Sequence, residues 1–401
     1  MNAIKIPQDV LYIIKTLNNN KFEAYIVGGC VRDTLINIEA KDWDITTSAK
    51  PNEIKKYFNK TVDTGIKHGT ITVVINKQNY EVTTYRIDGE YKDCRHPNKI
   101  FFTTKLKEDI LRRDFTMNAI AYHHEEGFKD YFNGIEDINN KIIRGVGNAN
   151  ERFNEDALRM LRALRFSTQL GFQIEKETFI ALKNNVKLIK KISIERIRDE
   201  ITKLLKGKFT NNIPLLWESG LLIEISEKLY ENTIKNQLIL MNAFKYKPNN
   251  HILCWSIFLN GFTEKTAIEI LKYFKFDTDT IKKVSKLVGN INLKFPENRY
   301  EIKKYANIFG DENISNYFKL YSYLYNYQKG IYAEIEYNKI INNNECIFQK
   351  DMNINGNDLI KIGIQKGTKI GEILLKLLDF VHKNPNKNKK NLLIKEAQKY
   401  I

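Results

Sequence analysis

The chain has 401 residues, 42% hydrophobic and 11% aromatic, which is enough apolar material for packed cores and enough length for roughly two to four domains. Lys and Arg exceed Asp and Glu by 64 to 48, and the net charge of +16 points to a polyanionic partner, most simply nucleic acid, with a lysine surface that only solubilises as the alternative. Cys30, Cys94, Cys254 and Cys346 stand singly, against a zinc site and for a reducing cytoplasm, while the polar start "NAIKIPQDV" and the lack of any apolar run near ~20 residues speak against a signal peptide and a membrane span.

Residues 8–20 predict a short amphipathic helix with Val10, Leu11, Ile14 and Leu17 on one side. Strand-like runs follow: "AYIVGG", "WDITT", "TITVVI", "YEVTTYR" and "IFFTT", each short, β-branched or aromatic, and bounded by Gly, Asn or Asp. Helical patterns such as "VRDTLIN" and "PNEIKKYF" lie between some of them, so the first 145 residues read as an α/β domain. From about residue 150 the pattern turns helical. In "NEDALRMLRALRFSTQLGF" an apolar stripe runs through Ala157, Leu158, Leu161 and Leu164, and "SIERIRDEITKLLKG" predicts a further helix that stops at Gly207. Few strand signals come after it. Asn-rich stretches at 248–250 and 342–344 mark linkers or loops, and "HKNPNKNKKN" (382–391) reads as a basic loop. The fold class expected is α+β and multidomain: an N-terminal head with a mixed β-sheet, followed by an all-α remainder.

The chemistry concentrates in "IVGGCVRDTLINIEAKDWDITT", residues 26–47. In a strand, residues two apart share a face, so Asp42 and Asp44 would stand side by side with Trp43 turned away. Two carboxylates that close are strained unless a divalent cation lies between them. Mg²⁺, which is held by one or two carboxylates plus substrate phosphates, fits. The Gly-Gly turn before a helix start would let the backbone at Gly29 approach phosphate oxygens, and Arg32 would add a guanidinium for a triphosphate. Glu81, mid-strand in "NYEVTTYR", is a third acidic candidate beside the pair. Taken singly, a D-x-D pair is a solvated strand edge and a Gly-Gly pair only a turn. In this order they describe phosphoryl transfer from a nucleoside triphosphate, with two metal ions in its fullest form.

The segment "EDALRMLRALRF" places Asp156 and Arg159 three apart, on one face of the expected helix. An aspartate accepts hydrogen bonds and an arginine donates them. Cytosine and adenine each present an amino donor beside a ring-nitrogen acceptor, which such a pair complements. Uracil and guanine present the reverse and would leave both partners mismatched. The bland reading is an i,i+3 ion pair on a solvated helix.

Together, "GGCVRD…DWDIT", "TGIKHGTITVVI", "EVTTYRIDGEYKDCRHP", "LRRDFTMNAIAY", "DYFNGIEDINNKIIRGVGNANERFNEDALRMLRALRF" and "SIERIRDEITKLL" resemble the class II tRNA nucleotidyltransferases and their bacterial poly(A) polymerase relatives, within the DNA polymerase β-like nucleotidyltransferases. The resemblance covers roughly residues 20 to 205, and the helical remainder more loosely. It implies a head (1–147), a neck that reads the nucleobase (148–207), a helical body (208–300) and a helical tail that binds tRNA (301–401). It also implies Mg²⁺ on the catalytic Asp42 and Asp44, CTP and ATP as substrates, and Asp156 and Arg159 as the base-reading pair. By position Arg113 matches the family arginine that contacts the nucleotide, and Arg162 and Arg165 join the same site; taken alone, those two are equally well surface arginines on RNA phosphate. Asp114 reads as a helix N-cap, and His68 as a loop residue beside the site rather than a base. The stretch 86–102, with Asp93, Arg95, His96 and Pro97, resembles the flexible loop of members that add a full CCA. Full addition is therefore expected, ahead of CC addition, poly(A) addition or, from another class, a non-catalytic RNA-binding protein. No membrane partner is expected, and the oligomeric state stays open, with a homodimer as one option.

Overall fold

The computed structural model describes residues 4–89 and 98–400. Helix α1 (Gln8–Asn19) buries Val10, Ile13, Ile14 and Leu17, the i, i+3, i+4, i+7 stripe of an amphipathic helix, with Ile13 in the place expected for Leu11. After it come β1 (Ala24–Val27), α2 (Gly29–Leu35), β2 (Asp44–Thr47), α3 (Pro51–Tyr57), β3 (Thr61–Gly65), β4 (Thr70–Ile75) and β5 (Gln78–Thr84). A two-stranded ribbon, β6 (Arg86–Asp88) with β7 (Ile100–Phe102), precedes α4 (Leu106–Leu111), β8 (Ile120–His123) and β9 (Gly127–Asp130). The residues expected to form a loop inside 86–102 thus have paired flanks, while Asp93, Arg95, His96 and Pro97 lie outside the described residues.

Seven strands make one sheet in the order β3-β4-β5-β2-β1-β8-β9. β2 runs parallel to β5 and antiparallel to β1, so the sheet is mixed, as expected for the head. β1 is buried along its whole length, because both of its faces are covered. Tyr25, Val27, Tyr85, Leu106, Ile110, Ala119, Ala121 and Val146 form one core against it. On β5 the alternation is plain: Tyr80, Val82 and Thr84 are buried while Glu81 is exposed.

Helices then take over: α5 (Gly134–Asn139), α6 (Ala149–Glu155), α7 (Leu158–Leu170), α8 (Lys176–Asn185) and α9 (Ile194–Leu205). After the two-residue strand Gln173–Ile174 there is no further strand among the described residues. The chain divides into two compact units, Met1–Ile234 and Lys235–Ile401. The second unit is helical, with Trp255 packed against Phe258, Phe274 and Phe276, and a separate core around Leu359, Leu377, Val381 and Leu393. The basic segment 382–391 is structured rather than a plain loop: helix Thr368–Lys383 ends in it, the 3₁₀ turn Pro385–Lys387 follows, and a helix starts at Lys390. No helix among the described residues is long and apolar enough to cross a membrane.

Gly134 seats the start of α5 on the rest of the head. A Cβ there would lie under 3.0 Å from the Thr116 carbonyl oxygen, a backbone atom of the 3₁₀ turn Thr116–Asn118 that cannot easily give way. Thr116 Oγ1 in turn donates to Asp137 Oδ2 at 2.6 Å. Gly134→Ala should therefore cost about 1–3 kcal/mol, the scale of overpacking, and lower the melting temperature by roughly 3–10 °C in a thermal scan. An unchanged melting temperature would mean that the close approach carries no energy.

Candidate active site

The register of β1 and β2 builds one side of the site. Val27 pairs with Asp44, so the end of β1 meets the start of β2, and the chain turns at Gly28 (φ +84°) directly beside that carboxylate. A Cβ on Gly28 would come to 3.4 Å from Arg113 Nη1 and 3.6 Å from Asp44 Oδ2, in a left-handed backbone that side chains disfavour. Gly29 is the first residue of α2, and Arg32 lies one turn along it. Only Asp44 belongs to the strand. Asp42 sits in the irregular segment just before β2, so strand alternation does not govern it, and Trp43 lines one cavity together with both aspartates.

Asp44 opens to solvent on one side and is crowded by protein on the others. Burial pushes its carboxyl upward; the Arg113 guanidinium opposes this, while the charges of Glu81 and Asp42 add to it. Glu81 stands next to Asp44 because Ile45 pairs with Val82 across β2 and β5. A hard divalent cation with oxygen ligands would relieve this crowding, so the donor set fits one. No group of three or more acidic, His or Cys side chains among the described residues forms a metal cage, so such an ion would complete its shell with water and substrate oxygens.

The opposite side is basic. A cavity of about 720 Å³ is lined by Gly28, Gly29, Asp42 and Asp44 and by seven arginines: Arg32, Arg112, Arg113, Arg159, Arg162, Arg165 and Arg196. It brings together Asp42, Asp44, Gly29, Arg32, Arg113, Asp156, Arg159, Arg162 and Arg165, while Glu81, the third acidic candidate, lies outside its lining. On α7, positions 158, 159, 162, 165 and 166 share a face by helical spacing. Phe166 lies at the centre, with the guanidinium carbons of Arg32, Arg162 and Arg165 at 5.0, 5.4 and 4.2 Å from its ring centroid. Burial, with repulsion from Arg162 and Arg32, lowers Arg165 to about 10, although the Glu200 carboxylate at 2.8 Å works the other way.

Each guanidinium is positioned by a protein partner. Asp109, fully buried, accepts from Arg112 (2.7 and 2.9 Å), Arg113 (3.3 Å) and Thr46 (3.0 Å). Burial would raise its carboxyl, but Arg112 and Arg113 hold it below the usual range. Arg32 Nη1 donates to Asn118 Oδ1 at 2.6 Å, and Arg159 Nη2 to the Arg112 carbonyl at 2.8 Å. Arg113 Nε, also buried, has no partner among the described residues.

Two expectations need correcting. Asp156 and Arg159 do not form an i,i+3 pair on one helix, because the chain breaks between α6 and α7 and Asp156 is extended there (φ −135°, ψ 102°). Its carboxylate accepts from the Leu158 amide at 3.1 Å and from Arg196 at 2.9 Å, while Arg159 pairs with Glu155 at 2.6 Å. Both still line the cavity. Asp114 is not a helix N-cap. It is buried, accepts from Asn118 at 3.0 Å, and takes Arg162 in a two-pronged pair at 2.8 and 2.5 Å. Asp109, Asn118, Phe166 and Arg196 went unread as site residues, though Asn118, Phe166 and Arg196 lie inside the motifs quoted above.

Burial alone would raise the Asp114 carboxyl, yet Arg162 and Asn118 hold it well below the carboxylate range. A depressed carboxyl stabilises the fold above its unfolded-state value, and the contribution is lost as pH falls from about 4 towards the folded-state value. Asp114→Asn should cost about 1.5–3 kcal/mol at neutral pH, the scale of a hydrogen bond to a charged group. The difference from the parent should narrow below about pH 4 in urea unfolding. A gap independent of pH would exclude an electrostatic origin.

Known proteins resemble the chain along almost its whole length. The family model for the poly A polymerase head domain matches residues 24–144; one described as a probable RNA and SrmB-binding site of polymerase A matches 171–230; and a putative tRNA nucleotidyltransferase domain 2 matches 246–397. The CCA-adding enzyme of Ligilactobacillus salivarius is 36% identical over 98% of this chain and 96% of its own length, and that of Enterococcus faecalis is 36% identical over 96% and 94%. Among solved structures, the Bacillus stearothermophilus CCA-adding enzyme in complex with CTP superposes with a TM-score of 0.84 at 31% identity, covering 98% of both chains. The Thermotoga maritima CCA-adding enzyme complexed with tRNA, at 21% identity and a TM-score of 0.69, shares the fold over 98% of this chain and 96% of its own. Conserved length, matched head and a carboxylate pair facing an arginine-lined cavity lead to one conclusion: the chain belongs to the CCA-adding enzymes, nucleotidyltransferases of a family that works with a divalent metal.

Proposed function

We propose that the chain extends the 3′ end of tRNA by C, C and A, taking CTP and ATP without a nucleic-acid template and releasing pyrophosphate. The observation that carries this is the single cavity joining Asp42 and Asp44 to Arg159 and its neighbours, in a chain aligned end to end with CCA-adding enzymes. That end-to-end likeness favours full addition over CC addition, poly(A) addition or a non-catalytic RNA-binding role.

In this reading residues 1–147 are the catalytic head, 148–207 the base-reading neck, 208–300 the body and 301–401 the tail, and the chain works in the cytoplasm. The three cysteines described, Cys30, Cys254 and Cys346, are buried. The tRNA 3′-hydroxyl attacks the α-phosphorus of the nucleotide, the bond to the β-phosphate oxygen breaks, and pyrophosphate leaves. Asp42 and Asp44 would hold Mg²⁺, which when bound neutralises phosphate charge and polarises the phosphoryl oxygens. Gly29 leaves room for the triphosphate beside the start of α2, and Arg32 and Arg113 bind its oxygens. Arg162 and Arg165 complete the positive wall. Asp156 accepts from the amino group shared by cytosine and adenine, and Arg159 donates to the adjacent ring nitrogen.

The direct test is a tRNA transcript lacking CCA, incubated with Mg²⁺ and with CTP and ATP separately and together, its 3′ ends read at nucleotide resolution. Addition of C, C and A that then stops is expected. Arrest after CC, or a long A tail, would move the chain to another activity. Asp44→Asn should lower the rate of extension on the order of a hundredfold or more, the scale of losing one electrostatic stabiliser, with CTP binding changed far less. Arg159→Ala should erode preference for CTP and ATP over UTP and GTP by about 10- to 150-fold, the value of one mismatched buried polar contact. Discrimination unchanged in that variant would remove Arg159 from base reading.

A further inference from the structure

A second cavity, of about 850 Å³, lies in the same unit and shares only Lys41, Asp42 and Asp44 with the arginine-lined one. The two cavities meet at the carboxylate pair. Their chemistry is opposite: the first carries seven arginines, while the second carries none and has Lys41 as its one basic residue. Its other polar walls are the uncharged Thr64, Thr72, Gln78 and Asn79 with Glu81, and its aromatic wall includes Trp43, between the two aspartates in sequence. Such walls suit a nucleoside, with its hydroxyls, base edges and π-face, and not a triphosphate. Trp43 is partly exposed, whereas Trp217 and Trp255 are 6% and 0% exposed.

Phosphoryl transfer asks for attacking and leaving oxygens roughly in line across the phosphorus. With the triphosphate among the arginines, an attacking hydroxyl in line with the leaving group would approach past Asp42 and Asp44 from the second cavity, which shares both carboxylates with the first. Resting on the nucleotidyl-transfer reading above, we propose that this cavity receives the 3′-terminal nucleoside of the RNA acceptor and that Trp43 stacks on its base. Stacking would hold the terminal ribose by the carboxylates without reading which base is present, since every base has a π-face. That tolerance suits an acceptor end that changes from one addition to the next.

Trp43→Ala and Trp43→Phe in the full chain test this, assayed with tRNA transcripts that lack CCA or end in C or CC. A base stacked on an aromatic ring is worth ~1–3 kcal/mol, so Trp43→Ala should raise KM for tRNA by about tenfold or more, with KM for CTP within about twofold, and Trp43→Phe should restore most of the loss. The truncated tRNA should also quench the fluorescence of the parent chain. The same tRNA shortened by several further 3′ nucleotides should not, nor should Trp43→Phe respond to either. A fall in kcat with KM for tRNA unchanged would make Trp43 only a prop for the aspartates and overturn the proposal. So would a rise confined to KM for CTP, or quenching that survives in Trp43→Phe. Failure of the parent chain to extend any tRNA would instead sink the nucleotidyl-transfer reading on which the proposal rests.

Discussion

Asp114 is the tie on which the arginine wall depends. One of its oxygens accepts from Asn118, whose own side-chain oxygen receives Arg32 from α2, and the other oxygen takes Arg162 from α7. A buried carboxylate bears a large desolvation cost, sustained only by good geometry and by satisfaction of its remaining lone pairs. Asp114 meets both conditions, and so a helix of the sheet layer and a helix beyond it present guanidiniums in a set relation. Asp109 does the same for Arg112 and Arg113 at the end of α4. The donors are therefore in place before any anion arrives, which is what makes electrostatic stabilisation effective in a reaction.

The cavity holds two opposite imbalances of charge. At one end Asp44 is pushed upward by burial and by Glu81 and Asp42; at the other Arg165 is pushed downward by burial and by Arg162 and Arg32. Neither end is resolved within the protein. The internal pairs of Arg32 and Arg162 use only part of each guanidinium's five donors. A polyphosphate carrying a divalent cation is a species that answers both ends together, with positive charge at the carboxylates and negative charge along the arginines. Binding of such a ligand would relieve the like-charge crowding at both ends.

Local patterns carried much of this into the sequence. The Gly28–Gly29 turn, Arg32, Asp42 and Asp44 were legible because the two strands that present them are consecutive and adjacent, so sequence proximity became spatial proximity. The strands β3, β8 and β9 gave little sign. β3 is mostly exposed and β9, "GFKD", has no apolar alternation. The helix expected through "NEDALRM" hid a break at Asp156, which is stabilised locally by the Leu158 amide and, from 40 residues away, by Arg196. Asp109 and Asn118 were missed because each also acts through partners brought in by tertiary folding, Thr46 and Arg32 among them. Asp114 was misread because capping is the common local use of an aspartate there, and only the approach of α7 gives it another.

The way Asp156 and Arg159 are held bears on how a single pocket could serve two bases. Asp156 is fixed by Arg196 and by the Leu158 amide, and Arg159 by Glu155 and by carbonyls of Arg152 and Arg112. Readers so constrained would present the same acceptor and donor at every addition. On the assignment made above they reject uracil and guanine, but they cannot choose between cytosine and adenine, whose reading edges offer the same pattern of one donor beside one acceptor. That choice must lie in something that differs between the second and third additions. Within the head the arginines are pinned by the buried carboxylates, whereas the acceptor end lengthens by one nucleotide each time. On that assignment the order of addition would be set where the acceptor end meets the carboxylate pair, by how much room the growing end leaves for a purine, while the protein pair would supply fidelity.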